Sequence, residues 1–138
     1  MLKVLQITKY MYPYIGGIEQ VTRDISSVLR ELNIEQKIIC FNEDVQSREI
    51  VCHRRKTIHD SVDSTEVIRC GCIAKISSQS ISLSFDKELQ KLMDNFRPNI
   101  VIFHYPNPFV ARYLLKYIPQ NCKLAIYWHL DIVKQKFL

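Results

Sequence analysis

Apolar positions in this chain alternate between short unbroken runs and longer stretches at helical spacing. Lys3 to Thr8 holds Val4, Leu5 and Ile7 and ends in a polar loop, which predicts a buried strand. After the loop Lys9 to Gly17, Ile18, Val21, Ile25, Val28, Leu29 and Leu32 recur every three or four residues. That spacing predicts an amphipathic helix to about Leu32. Gln36 to Phe41 reads as a second strand. The middle, Asn42 to Ser82, carries the weakest periodicity: Ile50 to Arg54 and Thr65 to Ile76 predict two or three short strands, and Ser77-Ser78-Gln79-Ser80 a loop. In the next helix Phe85, Leu89, Leu92, Met93 and Phe96 share one face, Ser82 or Ser84 caps the start, and Pro98 stops it. Ile100 to Phe103 is wholly apolar, as suits a central parallel strand covered on both faces. Asn107-Pro108 supplies an N-cap and first turn for a third helix through Ile118, and Leu124 to Trp128 predicts a further buried strand. Strand and helix alternate over 138 residues, about one domain's length, so a single α/β domain is expected.

Chemistry collects where strands end. Two of the chain's three glycines are adjacent, Gly16 and Gly17, between the first strand and its helix. In an open parallel sheet that is the ligand-binding edge, where glycine allows close backbone approach and a helix start offers free N–H groups to an anion. A phosphate-contacting loop and a tight turn are both compatible with the pair. A later strand ends at His104 and Asn107, and the last at His129 and Asp131. With the first strand central, Gly16-Gly17, His104 and His129 are expected along one crevice. A lone histidine after an apolar strand is more often structural, but two at equivalent ends facing a glycine loop shift the balance toward function.

Composition narrows the classes. Nineteen Lys and Arg against fourteen Asp and Glu give a net charge of +5, which favours anionic partners. The basic residues are dispersed, with Arg54-Arg55-Lys56 as the single run, so no nucleic-acid partner is expected. Apolar runs of about five residues are far below the ~20 of a membrane span, and the start does not resemble a signal peptide. A cytoplasmic protein is therefore expected, with peripheral contact at the cytoplasmic face of the membrane through its basic, tyrosine-bearing surface. Five cysteines without a paired Cys-x-x-Cys spacing predict reduced structural thiols and no metal site. The G-x-G-x-x-G, G-x-x-x-x-G-K-[ST] and G-x-S-x-G patterns are all missing, which leaves dinucleotide-binding, P-loop and serine-hydrolase readings unsupported.

Three segments in order carry a resemblance: Met1 to Gln20 with Gly16-Gly17-Ile18-Glu19, then His104-Tyr105-Pro106-Asn107-Pro108, then Trp128-His129-Leu130-Asp131-Ile132-Val133-Lys134-Gln135. Together they resemble the amino-terminal half of the family 4 glycosyltransferases, retaining enzymes of the GT-B class. The last segment resembles their W-H-S-D-I-V-K-Q element, with Leu130 where serine is usual. The resemblance implies a Rossmann-like, open, mostly parallel sheet with helices on both faces. It implies a hexosyltransferase-type enzyme of polysaccharide biosynthesis that moves a sugar, with retention, from a nucleotide-sugar donor to a glycan or lipid-linked acceptor. No cofactor beyond that nucleotide-sugar substrate is implied. Gly16 and Gly17 would contact the donor diphosphate, and His129 would be the catalytic residue beside the transferring sugar. Tyr12, Tyr14, His104 and Asn107 would lie on the acceptor side, with Asp131 and Lys134 as anion contacts. A carboxyl-terminal, donor-binding domain completes such enzymes, so these 138 residues are expected to be inactive alone. The alternative is a non-catalytic Rossmann-like module for phosphate, nucleotide or protein binding. A receiver domain is disfavoured because Thr8-Lys9-Tyr10 offers no acidic cluster.

Overall fold

The computed structural model describes residues 1–12, 16–42, 56–76, 79–105 and 107–129. β1 (Lys3–Ile7) leads through α1 (Gly17–Glu31) to β2 (Glu35–Phe41). β3 (Ile58–Val62) and β4 (Thr65–Cys70) form an antiparallel hairpin, and β5 (Ala74–Ile76) pairs with β6 (Gln79–Ile81) in a separate ribbon. α2 (Phe85–Lys91) runs into a π turn, Leu92–Phe96, before β7 (Ile100–Tyr105), α3 (Pro108–Tyr117) and β8 (Lys123–Trp128). The main sheet has the order β3-β4-β2-β1-β7-β8, with every pairing parallel except that of the edge strand β3. This is the Rossmann-like, mostly parallel α/β architecture.

Crossover handedness puts helices on both faces. β1 passes through α1 to a neighbour on one side, and β7 passes through α3 to a neighbour on the other. Val110 and Leu114 of α3 pack with Leu5 and Val101 on one face, while Thr22 of α1 meets Gln6 on the other, as right-handed crossovers require. The order in which strands are added therefore reverses between the adjacent parallel strands β1 and β7, and that switch point is where open α/β sheets bind ligands.

Local sequence sets the helix ends. Asn107 Oδ1 accepts a hydrogen bond from Val110 N at 3.2 Å, with Pro108 in the first turn of α3. Ser82 Oγ accepts from Phe85 N at 3.2 Å, while Ser84 Oγ bonds Thr57 Oγ1 instead. Arg97, left-handed at φ 55°, ends the π turn one residue before Pro98.

The main core lies on the α2–α3 face. Leu5 and Ile7 of β1, Ile39 and Phe41 of β2, and Val101 and Phe103 of β7 pack there against Phe85, Leu89, Val110 and Leu114. The phenyl rings of Phe41 and Phe85 stack at 5.0 Å. A smaller cluster of Met11, Ile38, Cys40, Val62 and Val67 occupies the opposite face. α1 meets that face through polar side chains: Glu19, Thr22 and Ser26 are buried together with Leu29, whereas Val28 and Leu32 are 54% and 63% exposed. The reason is the sheet beneath, where Gln6 Nε2 donates to Thr22 O, Gln36 Nε2 donates to Ser26 O, and the hydroxyls of Ser26 and Thr65 lie 3.1 Å apart. The apolar stripe of Val21, Ile25 and Val28 borders a groove of about 360 Å³ shared with Tyr127 of β8.

Three expectations change. β3 was not foreseen at Ile58–Val62, because an edge strand with His, Asp and Ser facing solvent carries little apolar signal. Residues 79–81, expected as loop, form β6, paired through Ala74↔Ile81. Lys123–Trp128 is a strand, but its side chains are exposed rather than buried. It is the last strand of the sheet, and among the described residues nothing covers its outer edge. Ile50 to Arg54 and Ser77-Ser78 lie outside the described residues.

Core position, not residue type, sets the cost of truncation. Leu89→Ala, at a fully buried site, is expected to lose about 2–5 kcal/mol. Leu115→Ala, at a position 73% exposed on α3, is expected to change stability by less than about 0.5 kcal/mol. Urea unfolding of both variants measures the contrast.

Candidate functional site

The switch point has the end of β1 and the start of α1 on one side and the ends of β7 and β8 on the other, the two walls of a candidate crevice. On the second wall, two imidazoles meet: His104 Nδ1 and His129 Nε2 are 2.7 Å apart, with ring centroids 5.0 Å apart. Register explains the meeting. His104 and Tyr127 are Cα partners across β7 and β8, and His129 follows two residues later on the same side of the strand path. Tyr127 stacks on His129 at 4.5 Å and lies 5.8 Å from the His104 ring, which braces both planes. His104 Nε2 reaches Gln6 Oε1 of β1 at 2.8 Å, and the Gln6 amide nitrogen donates to Thr22 O of α1 at 3.2 Å. A continuous polar line thus crosses from α1 through β1 and β7 to the end of β8. Burial, reinforced by the His129 ring, pushes the His104 pKa down to about 4, and burial also lowers that of His129. Both rings are therefore neutral at physiological pH.

On the first wall, Gly16 is extended, with φ −170° and ψ 178°, and neither glycine has positive φ. A tight turn is therefore not what requires them. Among the described residues a Cβ on Gly17 would meet nothing within 4 Å, whereas one on Gly16 would overlap Glu19 Oε2. Glu19 folds its carboxylate back over the start of α1, where it accepts from its own main-chain N–H. Burial raises its pKa, against that hydrogen bond and the charge of Lys9.

The remaining expected residues separate. Asn107 spends its Oδ1 on the α3 cap, while its Nδ2 is buried without a partner among the described residues. Its helix helps wall a cavity of about 180 Å³ lined by Phe41, Ser82, Phe85, Phe109, Arg112 and Tyr113. Tyr12 is 43% exposed beneath the Arg23 guanidinium, 4.5 Å from its ring centroid. The Tyr12 main-chain carbonyl accepts from Arg69 of β4, three strands away from β7. Tyr10 is a core residue, with its hydroxyl 3.2 Å from Ser80 Oγ. Tyr14, Asp131 and Lys134 lie outside the described residues.

Two organising residues were missed. Gln6 is the one polar side chain inside an otherwise apolar buried run, and that oddity was its only signal. Arg69, 8% exposed, holds Asp60 Oδ2 at 3.1 Å and Met11 O at 3.3 Å, and nothing in its local pattern marks it. Cys40, Cys70 and Cys72 are buried free thiols, with burial pushing the Cys40 pKa to about 12; Cys52 lies outside the described residues. Among the described residues no cluster of three His, Cys, Asp or Glu is placed to hold a metal ion, and no helix is long and apolar enough to cross a membrane.

The buried imidazole makes folding pH-dependent. Below pH 6.5 the unfolded chain binds a proton at His104 that the folded chain refuses until about pH 4. The resulting stability, about 3 kcal/mol, is complete above pH 6.5 and is lost as pH falls through 4. Urea midpoints between pH 7 and 4 are expected to fall more steeply for the natural chain than for His104→Asn, which has nothing to protonate there.

Comparison with known proteins adds an independent finding. The sequence model described as Glycosyltransferase Family 4 matches residues 15–137. No curated protein and no solved structure gives a significant match. The match begins in the glycine loop, spans both histidines and covers most of the chain, so the protein belongs to glycosyltransferase family 4.

Proposed function

We propose that this chain forms the acceptor-side domain of a retaining glycosyltransferase that uses a nucleotide-sugar donor. What supports the reading is the His104–His129 contact at the ends of β7 and β8, with β1, the strand that leads to Gly16-Gly17, paired in parallel beside β7. Departure of a nucleoside diphosphate builds negative charge, and preorganised N–H donors at a helix start suit that charge. Gly17 supports the assignment, since among the described residues no contact demands a glycine there. The Glu19 carboxylate now covers the same N–H groups, so a phosphate must displace it or meet it protonated. His129 stands beside the transferring sugar. His104 acts behind it, not on the acceptor.

The acceptor, a glycan or a lipid-linked sugar, enters beside Asn107. Its buried Nδ2, without a partner among the described residues, and the ring-lined cavity next to α3 favour that side over Tyr12. The reaction draws on no cofactor besides the donor. A second α/β domain supplies the remaining donor contacts, and the exposed Leu124, Ile126 and Trp128 of β8 are consistent with further chain packing nearby. The protein works at the cytoplasmic face of the membrane, where its net positive charge favours anionic lipid.

Titration of the isotopically labelled chain with a nucleoside-diphosphate sugar tests the site. Amide shifts are expected at Gly16, Gly17 and His129. Equal shifts with a single-stranded oligonucleotide, or shifts confined to other regions, would overturn the reading. Gly17→Ala is expected to leave thermal stability unchanged or slightly raised while weakening donor binding at least about tenfold. Sugar transfer by these 138 residues alone is expected to be undetectable, and robust turnover would refute the need for a second domain.

A further inference from the structure

We infer that Gln6 and His104 are positioning residues that fix the tautomer of His129, holding its proton on Nε2 and leaving Nδ1 as a hydrogen-bond acceptor. The direction of the line is set at its far end. Thr22 O is a main-chain carbonyl and can only accept, so the Gln6 nitrogen must face it and Gln6 Oε1 must face His104. Oε1 can in turn only accept, which puts the His104 proton on Nε2. Because the ring is neutral, His104 Nδ1 carries a lone pair. It can engage His129 at 2.7 Å only by accepting the proton that His129 holds on Nε2. The opposite polarity would turn Gln6 Oε1 toward Thr22 O, two acceptors about 3.2 Å apart in a buried site. Burial keeps His104 neutral, so the relay is not scrambled near neutral pH. Tyr127, stacked on His129, prevents the ring from turning freely.

The inference deepens the proposed site and rests on it only for its chemical consequence. A neutral His129 with a free Nδ1 accepts a hydrogen bond from a sugar hydroxyl, and cannot donate from that nitrogen to a phosphate oxygen. His129 would thus orient the transferring sugar, leaving stabilisation of the diphosphate to the helix start.

Long-range proton–nitrogen correlation of the imidazoles in the ¹⁵N-labelled chain at pH 7.5 reads the tautomers directly. Both histidines are expected to show one pyrrole-type Nε2 and one pyridine-type Nδ1. His104→Asn keeps an acceptor oxygen near the Nδ1 position and should preserve the His129 pattern. His104→Leu and Gln6→Leu should lose it, giving averaged nitrogen shifts at His129. A wild-type His129 already protonated on Nδ1, or averaged between tautomers, overturns the inference. So does an unchanged His129 pattern in a folded His104→Leu chain. Should the leucine variants fail to fold, the wild-type spectrum still decides. If the relay is found but nucleoside-diphosphate sugar leaves the His129 shifts unmoved, the site assignment fails and the tautomer relay stands.

Discussion

A side-chain amide buried in the middle of a central strand imposes an obligation on its surroundings. Gln6 is fully buried in β1, and both ends of its amide need partners, at a cost of about 1–3 kcal/mol for each left unpaired. It meets that obligation with a helix carbonyl on one side and an imidazole on the other. The result links α1, β1, β7 and, through His129, the end of β8. The glycine loop begins the same helix whose second turn holds Gln6. Movement of α1 along its axis would therefore strain the amide that orients His104.

The switch point depends on connectivity, and connectivity was legible. Alternating apolar runs and helical stripes fixed the number and order of the main elements, and strand ends pointed to His104 and His129. Asn107-Pro108 announced the start of α3 because a capping side chain and a proline preset for helix act locally. The face shared by Phe85, Leu89, Leu92, Met93 and Phe96 was correct to the residue, all five being buried.

Partners distant in sequence were not legible. Nothing near Gln6 says that residues 16 and 98 positions away will satisfy it. Arg69 is opaque for the same reason, since it anchors Met11 and Tyr12 from across the sheet. Burial was misjudged where it depends on neighbours rather than composition. β8 has the composition of a buried strand yet sits at an edge, and α1 has an apolar stripe yet turns Thr22 and Ser26 to the sheet.

The two faces of the sheet divide the labour. Aliphatic and aromatic packing gathers between the strands and α2–α3, where Leu5, Ile39, Phe41, Phe85, Leu89 and Val101 form a continuous core. That face supplies the hydrophobic driving force of folding. The α1 face contributes a smaller apolar cluster and can hold Gln6, Thr22, Ser26, Glu19 and His104 in a low-dielectric setting. Such a setting makes hydrogen bonds directional and unpaired groups expensive. It also fixes protonation states, as the depressed His104 pKa shows. A site built on the main core would have had to trade packing against polarity at every position. On the opposite face the polar line runs beside a small apolar cluster, and the strands carrying it are held from behind by the aliphatic and aromatic core.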